Sequence, residues 1–140
     1  MLTAPLSRRF ARLVTLALVT GCADGTAPAP IEGQYELRTV NGSPLPYTHT
    51  YSATASYTVR SQRVTILTGA SWSSATSHVY VYPGLVRDET NAVDAGSFTY
   101  GESTGSLLLR SGGTSLTYPG NVSGRTLTMY RDGDKYLYER

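Results

Sequence analysis

The chain has 140 residues, with 12 basic and 10 acidic groups, one cysteine, one tryptophan and eleven tyrosines. That length holds one domain of ordinary size, and 14 glycines with 7 prolines exclude collagen-like and low-complexity chains. Fifteen serines and 19 threonines, together with the tyrosines, favour short antiparallel strands over helices.

The formal charge of +2 is unevenly distributed. Arg8, Arg9 and Arg12 precede the apolar run Leu13-Val14-Thr15-Leu16-Ala17-Leu18-Val19-Thr20, which ends at Gly21-Cys22. A basic start, a short apolar run and small residues before a break predict a secretory signal over residues 1–21. The run is too short to span a bilayer as a mature helix. Without it, nine basic groups face ten acidic ones, a net of −1. That balance gives no electrostatic reason to expect nucleic acid, nor a polybasic patch for anionic lipid.

Cys22 is the only cysteine, so no intramolecular disulfide forms. Val19-Thr20-Gly21-Cys22 resembles a bacterial lipobox. The resemblance implies that the Cys22 thiol receives a diacylglyceryl group and becomes the acylated first residue of the mature chain. A thiolate is readily alkylated, and two or three acyl chains, at about 0.8 kcal/mol per buried CH₂, anchor a domain stably. The expected partner is therefore the membrane, through the anchor on Cys22. By the same resemblance Ala23, where Asp would retain the protein at the inner membrane, favours the outer membrane of a bacterial envelope. The alternative is a soluble secreted protein. Residues 22–31, the lipidated Cys and Ala-Asp-Gly-Thr-Ala-Pro-Ala-Pro-Ile, have no apolar period and are expected to be a tether. Nine extended residues reach at most about 30 Å.

From residue 32 onward the expected domain alternates with period two between turn dipeptides, the strand-and-hairpin signature. Gln34–Val40 is the first predicted strand, closed by Asn41-Gly42. Residues 47–59 alternate without a break: Tyr47, His49, Tyr51, Ala53, Ala55, Tyr57 and Val59 share one face, and Thr and Ser share the other. Arg63–Thr68 and Ser74–Tyr82 follow as strands, while the charged residues 85–94 predict a loop or an edge segment with at most a helical turn. Ser97–Gly101, Ser106–Arg110, Thr114–Val122, Arg125–Tyr130 and Lys135–Glu139 are separated by short turns, so each pairs with its predecessor. This predicts an all-β domain, an antiparallel up-and-down β-barrel of about eight strands, with a two-sheet β-sandwich as the alternative.

Gly33-Gln34-Tyr35-Glu36-Leu37-Arg38-Thr39-Val40-Asn41-Gly42-Ser43-Pro44-Leu45-Pro46 resembles the opening of bacterial lipocalin-like lipoproteins. Val122-Ser123-Gly124-Arg125-Thr126-Leu127-Thr128 and Tyr136-Leu137-Tyr138-Glu139-Arg140 are similar to that group's closing stretches. The resemblance covers both ends of the domain and not residues 47–94. True lipocalins open with Gly-x-Trp and stack the indole on a late arginine. By that likeness the ring here is Tyr35, and its partner is Arg140 or Arg131.

Candidate chemistry is sparse. Gly101-Glu102-Ser103-Thr104-Gly105 has the G-x-S-x-G spacing of a nucleophile elbow, but a strand follows it and no histidine lies beyond His78. His49 and His78 lack zinc-motif spacing, and Asp132-Gly133-Asp134 lacks the other ligands of a calcium loop. No nucleophile–base pair can be named, so no enzyme, metal or cofactor is expected. All eleven tyrosines lie in the domain. They either fill and rim a narrow barrel or, as Tyr47, Tyr51, Tyr57, Trp72, Tyr80 and Tyr82, line a ligand site. Ala53 and Ala55 are the expected source of free space. The expected function is binding of a small apolar ligand inside the barrel. The alternative is a structural or protein-binding module, an inhibitor or envelope-assembly factor, presenting its aromatic residues outward.

Overall fold

The structure, a computed structural model, describes residues 30–140. The expected signal and Cys22 lie outside the described residues. Ten strands follow in order: β1 (Gly33–Val40), β2 (Ser43–Pro44), β3 (Tyr47–Ser52), β4 (Ala55–Leu67), β5 (Ser71–Tyr82), β6 (Leu85–Gly101), β7 (Ser106–Ser111), β8 (Thr117–Ser123), β9 (Thr126–Arg131) and β10 (Asp134–Glu139). From β4 to β10 each strand pairs with its chain neighbour; β10 pairs with β1, and β1 returns to β4. The ring of β1 and β4–β10 is thus a closed antiparallel up-and-down barrel of eight strands, with β2 and β3 added outside it. Closure pairs every ring strand on both sides over at least part of its length.

Two-residue turns set this topology locally. Asn41-Gly42 and Asp132-Gly133 both hold two successive positive φ values, 53° and 80° in the first and 53° and 87° in the second. This is the turn whose twist matches paired strands, and Asn, Asp and Gly tolerate it best. Gly101–Gly105 is the hairpin turn between β6 and β7, where the amides of Thr104 and Gly105 donate to the Gly101 carbonyl. Ser103 therefore sits between two strands, not at a strand-to-helix elbow.

Three predicted elements differ from those observed. The uninterrupted alternation over 47–59 is a hairpin: β3 and β4 face each other across Ala53-Thr54, with Tyr47 opposite Val59 and His49 opposite Tyr57. β4 then runs through to Leu67, its phase switched by a bulge between Val59 and Ser61. Residues 85–94 contain no helical turn and form the first half of a 17-residue strand, β6. β7 pairs only with Gly96–Gly101, so Leu85–Asp94 is held by β5 alone and forms a free edge.

This unequal strand length gives the barrel two unlike ends. At one end Tyr35, Leu37, Ile66, Leu107, Leu109, Val122 and Leu127 are buried and fill the interior. Ile31, expected at the end of the tether, belongs to this core and accepts a hydrogen bond from the Tyr35 hydroxyl at 2.7 Å. Arg140 closes the same end. Its guanidinium lies 5.3 Å from the Tyr35 ring centroid and donates to the carbonyls of Pro30, Glu32 and Gly124. At the other end β3, the start of β4, the end of β5 and the start of β6 extend past the barrel wall as a projecting sheet.

Candidate functional site

The filled end gives way to a cavity of about 210 Å³ that opens toward the projecting sheet. Its walls come from four regions of the chain. β4 supplies Tyr57, Gln62 and Val64, and β5 supplies Trp72, Ser74, Thr76, His78 and Tyr80. β6 supplies Ala92 and Asp94, while β8–β10 close the far wall with Tyr118, Met129, Arg131, Tyr136 and Tyr138. An eight-stranded barrel is just wide enough to be filled by side chains or to hold one small ligand. Here short side chains decide the outcome. Ser74 and Thr76 point inward and are buried, and with Ala92 they leave the space that larger residues would fill.

Ala53 and Ala55 do not provide that space. Ala53 lies exposed in the β3–β4 turn and Ala55 begins β4. The small residues that open the cavity lie on β5 and β6 instead. Of the six predicted aromatic residues, Tyr57, Trp72 and Tyr80 meet in the cavity wall. Tyr47 and Tyr51 line an adjoining groove with His49, which shares Tyr57, Tyr80, Arg131 and Tyr136 with the cavity. Tyr82 stacks on Tyr80 at 6.0 Å and 16° but stands outside both, 42% exposed.

Geometry within the wall is specific. The Trp72 indole is 2% exposed, donates to the Arg110 carbonyl at 3.1 Å and meets Tyr118 edge-on at 5.9 Å. Gln62 donates to Thr76 at 2.9 Å and accepts from the Tyr138 hydroxyl at 2.7 Å, so this polar chain is self-satisfied. Asp94 accepts from the Ala95 amide and from the hydroxyls of Ser111 and Tyr118. His78 differs. It is 5% exposed, its Nε2 lies 3.1 Å from a Glu89 carboxylate oxygen, and yet neither ring nitrogen completes a hydrogen bond. Burying such a group without a completed hydrogen bond costs free energy.

Burial also sets the chemistry of the tyrosines. It pushes the Tyr136 hydroxyl up to about 12, and those of Tyr57 and Tyr138 higher still. They stay neutral, and able to donate, throughout the physiological range. Their folded values exceed the unfolded value near 10, so unfolding releases their protons once the pH passes about 10. The stability they confer is fully present below pH 10 and is lost as the pH rises toward 12 and beyond. We expect urea midpoints to be insensitive to these groups up to pH 9 and to fall steeply above 10. At pH 10.5, native tyrosinate absorbance is expected to stay below that of the urea-unfolded chain. Equal absorbance in the two states would contradict the burial described here.

Among the described residues no three His, Cys, Asp or Glu side chains gather as metal donors. His49 contacts Asp134 at 3.4 Å and His78 contacts Glu89, so the two histidines serve different partners. Sequence reasoning missed Gln62, Ser74, Thr76, His78, Asp94, Tyr118, Arg131, Tyr136 and Tyr138 as wall residues. A usable signal existed for β5, where Trp72, Ser74, Thr76 and His78 fall on one face: a large ring followed by small polar groups at inward positions. Nothing local signals the far wall. Compared with known protein families, curated proteins and solved structures, the chain matches none, and its function has to be read from this site.

Proposed function

We propose that this chain is a bacterial envelope lipoprotein, anchored in the outer membrane through an acylated Cys22, whose barrel binds a small molecule with a largely apolar body. The observation that carries the binding reading is the cavity itself. It lies inside a closed barrel and joins Tyr57, Trp72 and Tyr80 to unfilled polar groups. The walls set ring faces and aliphatic side chains beside about as much polar surface, and convergent polar groups in a pocket fix a ligand's orientation. Its volume, at about 30 Å³ per water, equals roughly seven waters, which suits a ligand of modest size. Burial of the ligand's apolar surface drives binding, and the tyrosine hydroxyls orient it. The stack of Arg140 on Tyr35 supports the resemblance to lipocalin-like lipoproteins, with Arg140 in place of Arg131 as the late arginine. The protein-binding alternative draws less support. Over residues 69–82 Trp72 is buried and Tyr82 is the only aromatic residue counted as exposed.

Native mass spectrometry of the chain from Ala23 onward, purified gently, tests this reading. Among the described residues, all pairings of the barrel and its core lie within residues 31–140, and the chain from Ala23 onward keeps every one of them. The expected result is a non-covalent small-molecule adduct. Ser74→Trp, which fills the cavity from β5, is expected to remove the adduct while the thermal midpoint shifts by only a few degrees. A clean mass from both proteins would move the search to surface partners.

A further inference from the structure

The unsatisfied groups of the cavity are unequal in kind. Gln62, Thr76 and Tyr138 satisfy one another, and both oxygens of Asp94 are engaged. The hydroxyls of Tyr57, Tyr80 and Tyr136 take part in none of these bonds. Arg131 stands beside them, in phase with the inward residues Leu127 and Met129 of β9, and its guanidinium carbon lies 6.0 Å from the Tyr118 centroid. An inward cation in a barrel calls for a counter-charge. Of the carboxylates nearby, Asp134 and Glu89 are committed elsewhere. Asp134, directly across from Arg131 on β10, gives its oxygens to Asn41 at 2.7 Å and His49 at 3.4 Å. Glu89 pairs with Arg87 and lies against His78. Asp132 accepts a hydrogen bond from Arg131 Nε at 3.4 Å, but its side chain is 86% exposed, so water screens the pair and it does not occupy the cavity side of the guanidinium.

Resting on the reading of the cavity as a small-molecule site, we infer that its ligand is an organic acid. Its carboxylate is held at the cavity mouth by the Arg131 guanidinium and the hydroxyls of Tyr57 and Tyr136, and its flat or apolar body lies against Trp72, Val64 and Met129. Three independent observations converge on this. Arg131 makes no bond to the inward carboxylate, Asp94, whose oxygens are taken by Ser111, Tyr118 and the Ala95 amide, and charge-assisted bonds to a carboxylate are the strongest it can make. Two neutral hydroxyls beside it add donors without adding charge. The buried His78 ring, lacking any hydrogen bond, lines the same cavity and gains a partner when a polar ligand atom reaches it. The inner half of the cavity has no such free donors; its polar groups are already paired, and it offers ring faces and aliphatic side chains.

Calorimetric titration of the chain from Ala23 onward with matched acids and alcohols separates the possibilities. The probes are 2-naphthoate and octanoate, set against 2-naphthylmethanol and octanol. The expected result is that at least one acid binds about tenfold or more tightly than its alcohol. Arg131→Gln erases that preference, and Tyr136→Phe weakens acid binding by about threefold. Arg38→Gln, on the outer surface of β1, changes nothing, and circular dichroism melts show that each variant is folded. If the alcohols bind as tightly as the acids, or if folded R131Q keeps the preference, the acid assignment is overturned and the small-molecule cavity stands. If neither acids nor alcohols bind, the cavity reading falls and the acid assignment falls with it.

Discussion

Replacing Tyr35 with alanine is expected to destabilise the barrel by about 3–5 kcal/mol, the usual cost of emptying a large aromatic site in a core. Tyr35 is fully buried, and its ring carries the Arg140 guanidinium on one side. Its hydroxyl holds the Ile31 carbonyl, which ties the start of the domain to the barrel floor. Removing the ring leaves that carbonyl unpaired and deprives Arg140 of its platform. Arg140 in turn binds three carbonyls that converge on this end of the barrel, those of Pro30, Glu32 and Gly124. Against a total stability of about 5–15 kcal/mol for a domain, the Y35A change removes a large share. Urea unfolding measures it directly, and Y35A combined with Arg140→Ala should cost less than the sum of the two single changes, because the residues are in contact. Additive losses would show that the stack is incidental.

Gly96→Ala is the second large effect. Gly96 lies where β6 leaves its two-sided pairing and becomes a free edge, directly opposite Ser111 of β7. A Cβ built there would sit 1.9 Å from the Arg110 carbonyl oxygen and 2.9 Å from the Gly112 nitrogen. Both neighbours are backbone, so the clash is relieved only by prising β7 away from β6. Overpacking typically costs 1–3 kcal/mol, and a backbone clash belongs at the upper end, about 3 kcal/mol. The indole of Trp72 also bonds the Arg110 carbonyl, so the strain should reach the cavity and shift Trp72 fluorescence. A G96A protein within 0.5 kcal/mol of the parent, with unchanged emission, would mean that β6 and β7 are not in this register.

The parts of the fold that were legible in the sequence are those where local chemistry alone decides. The meander from residue 97 to 139 follows from turn dipeptides spaced too closely for any crossover, and the structure pairs β6 to β10 in that order. The β3–β4 hairpin was hidden for a geometric reason. A bulge between Thr50 and Ser52 adds one residue to β3, so odd-numbered residues face inward on both strands and the alternation passes unbroken through the turn. Ala53-Thr54 carries none of the usual Gly, Asn or Asp signals. The opposite happens within β4, where the bulge after Val59 changes the inward set from odd to even residues and made one strand look like two. β6 offers no apolar alternation over 85–94, because its register slips against β5 between His78 and Thr76 and one flank faces solvent.

For the site, aromatic type sufficed to find Tyr57, Trp72 and Tyr80, which lie on adjacent strands. Arg131, Tyr136 and Tyr138 come from the last hairpin, and only closure of the ring carries them across from β4 and β5. The likeness to lipocalin openings offers Arg131 only as a partner for Tyr35, a role that Arg140 fills at the opposite end. Period two assigns each residue a face, but it does not say which faces meet.

Uptake of a small molecule by the cavity beside Trp72 has its own spectroscopic reporter. Trp72 is the only tryptophan in the chain, so its indole N–H gives a single side-chain resonance in a proton–nitrogen NMR spectrum. On titration with 2-naphthoate a saturable shift of that resonance is expected, together with shifts at Val64, Thr76 and Met129 backbone amides. Shifts confined to the exposed edge over Leu85–Asp94, with the indole signal unmoved, would contradict it.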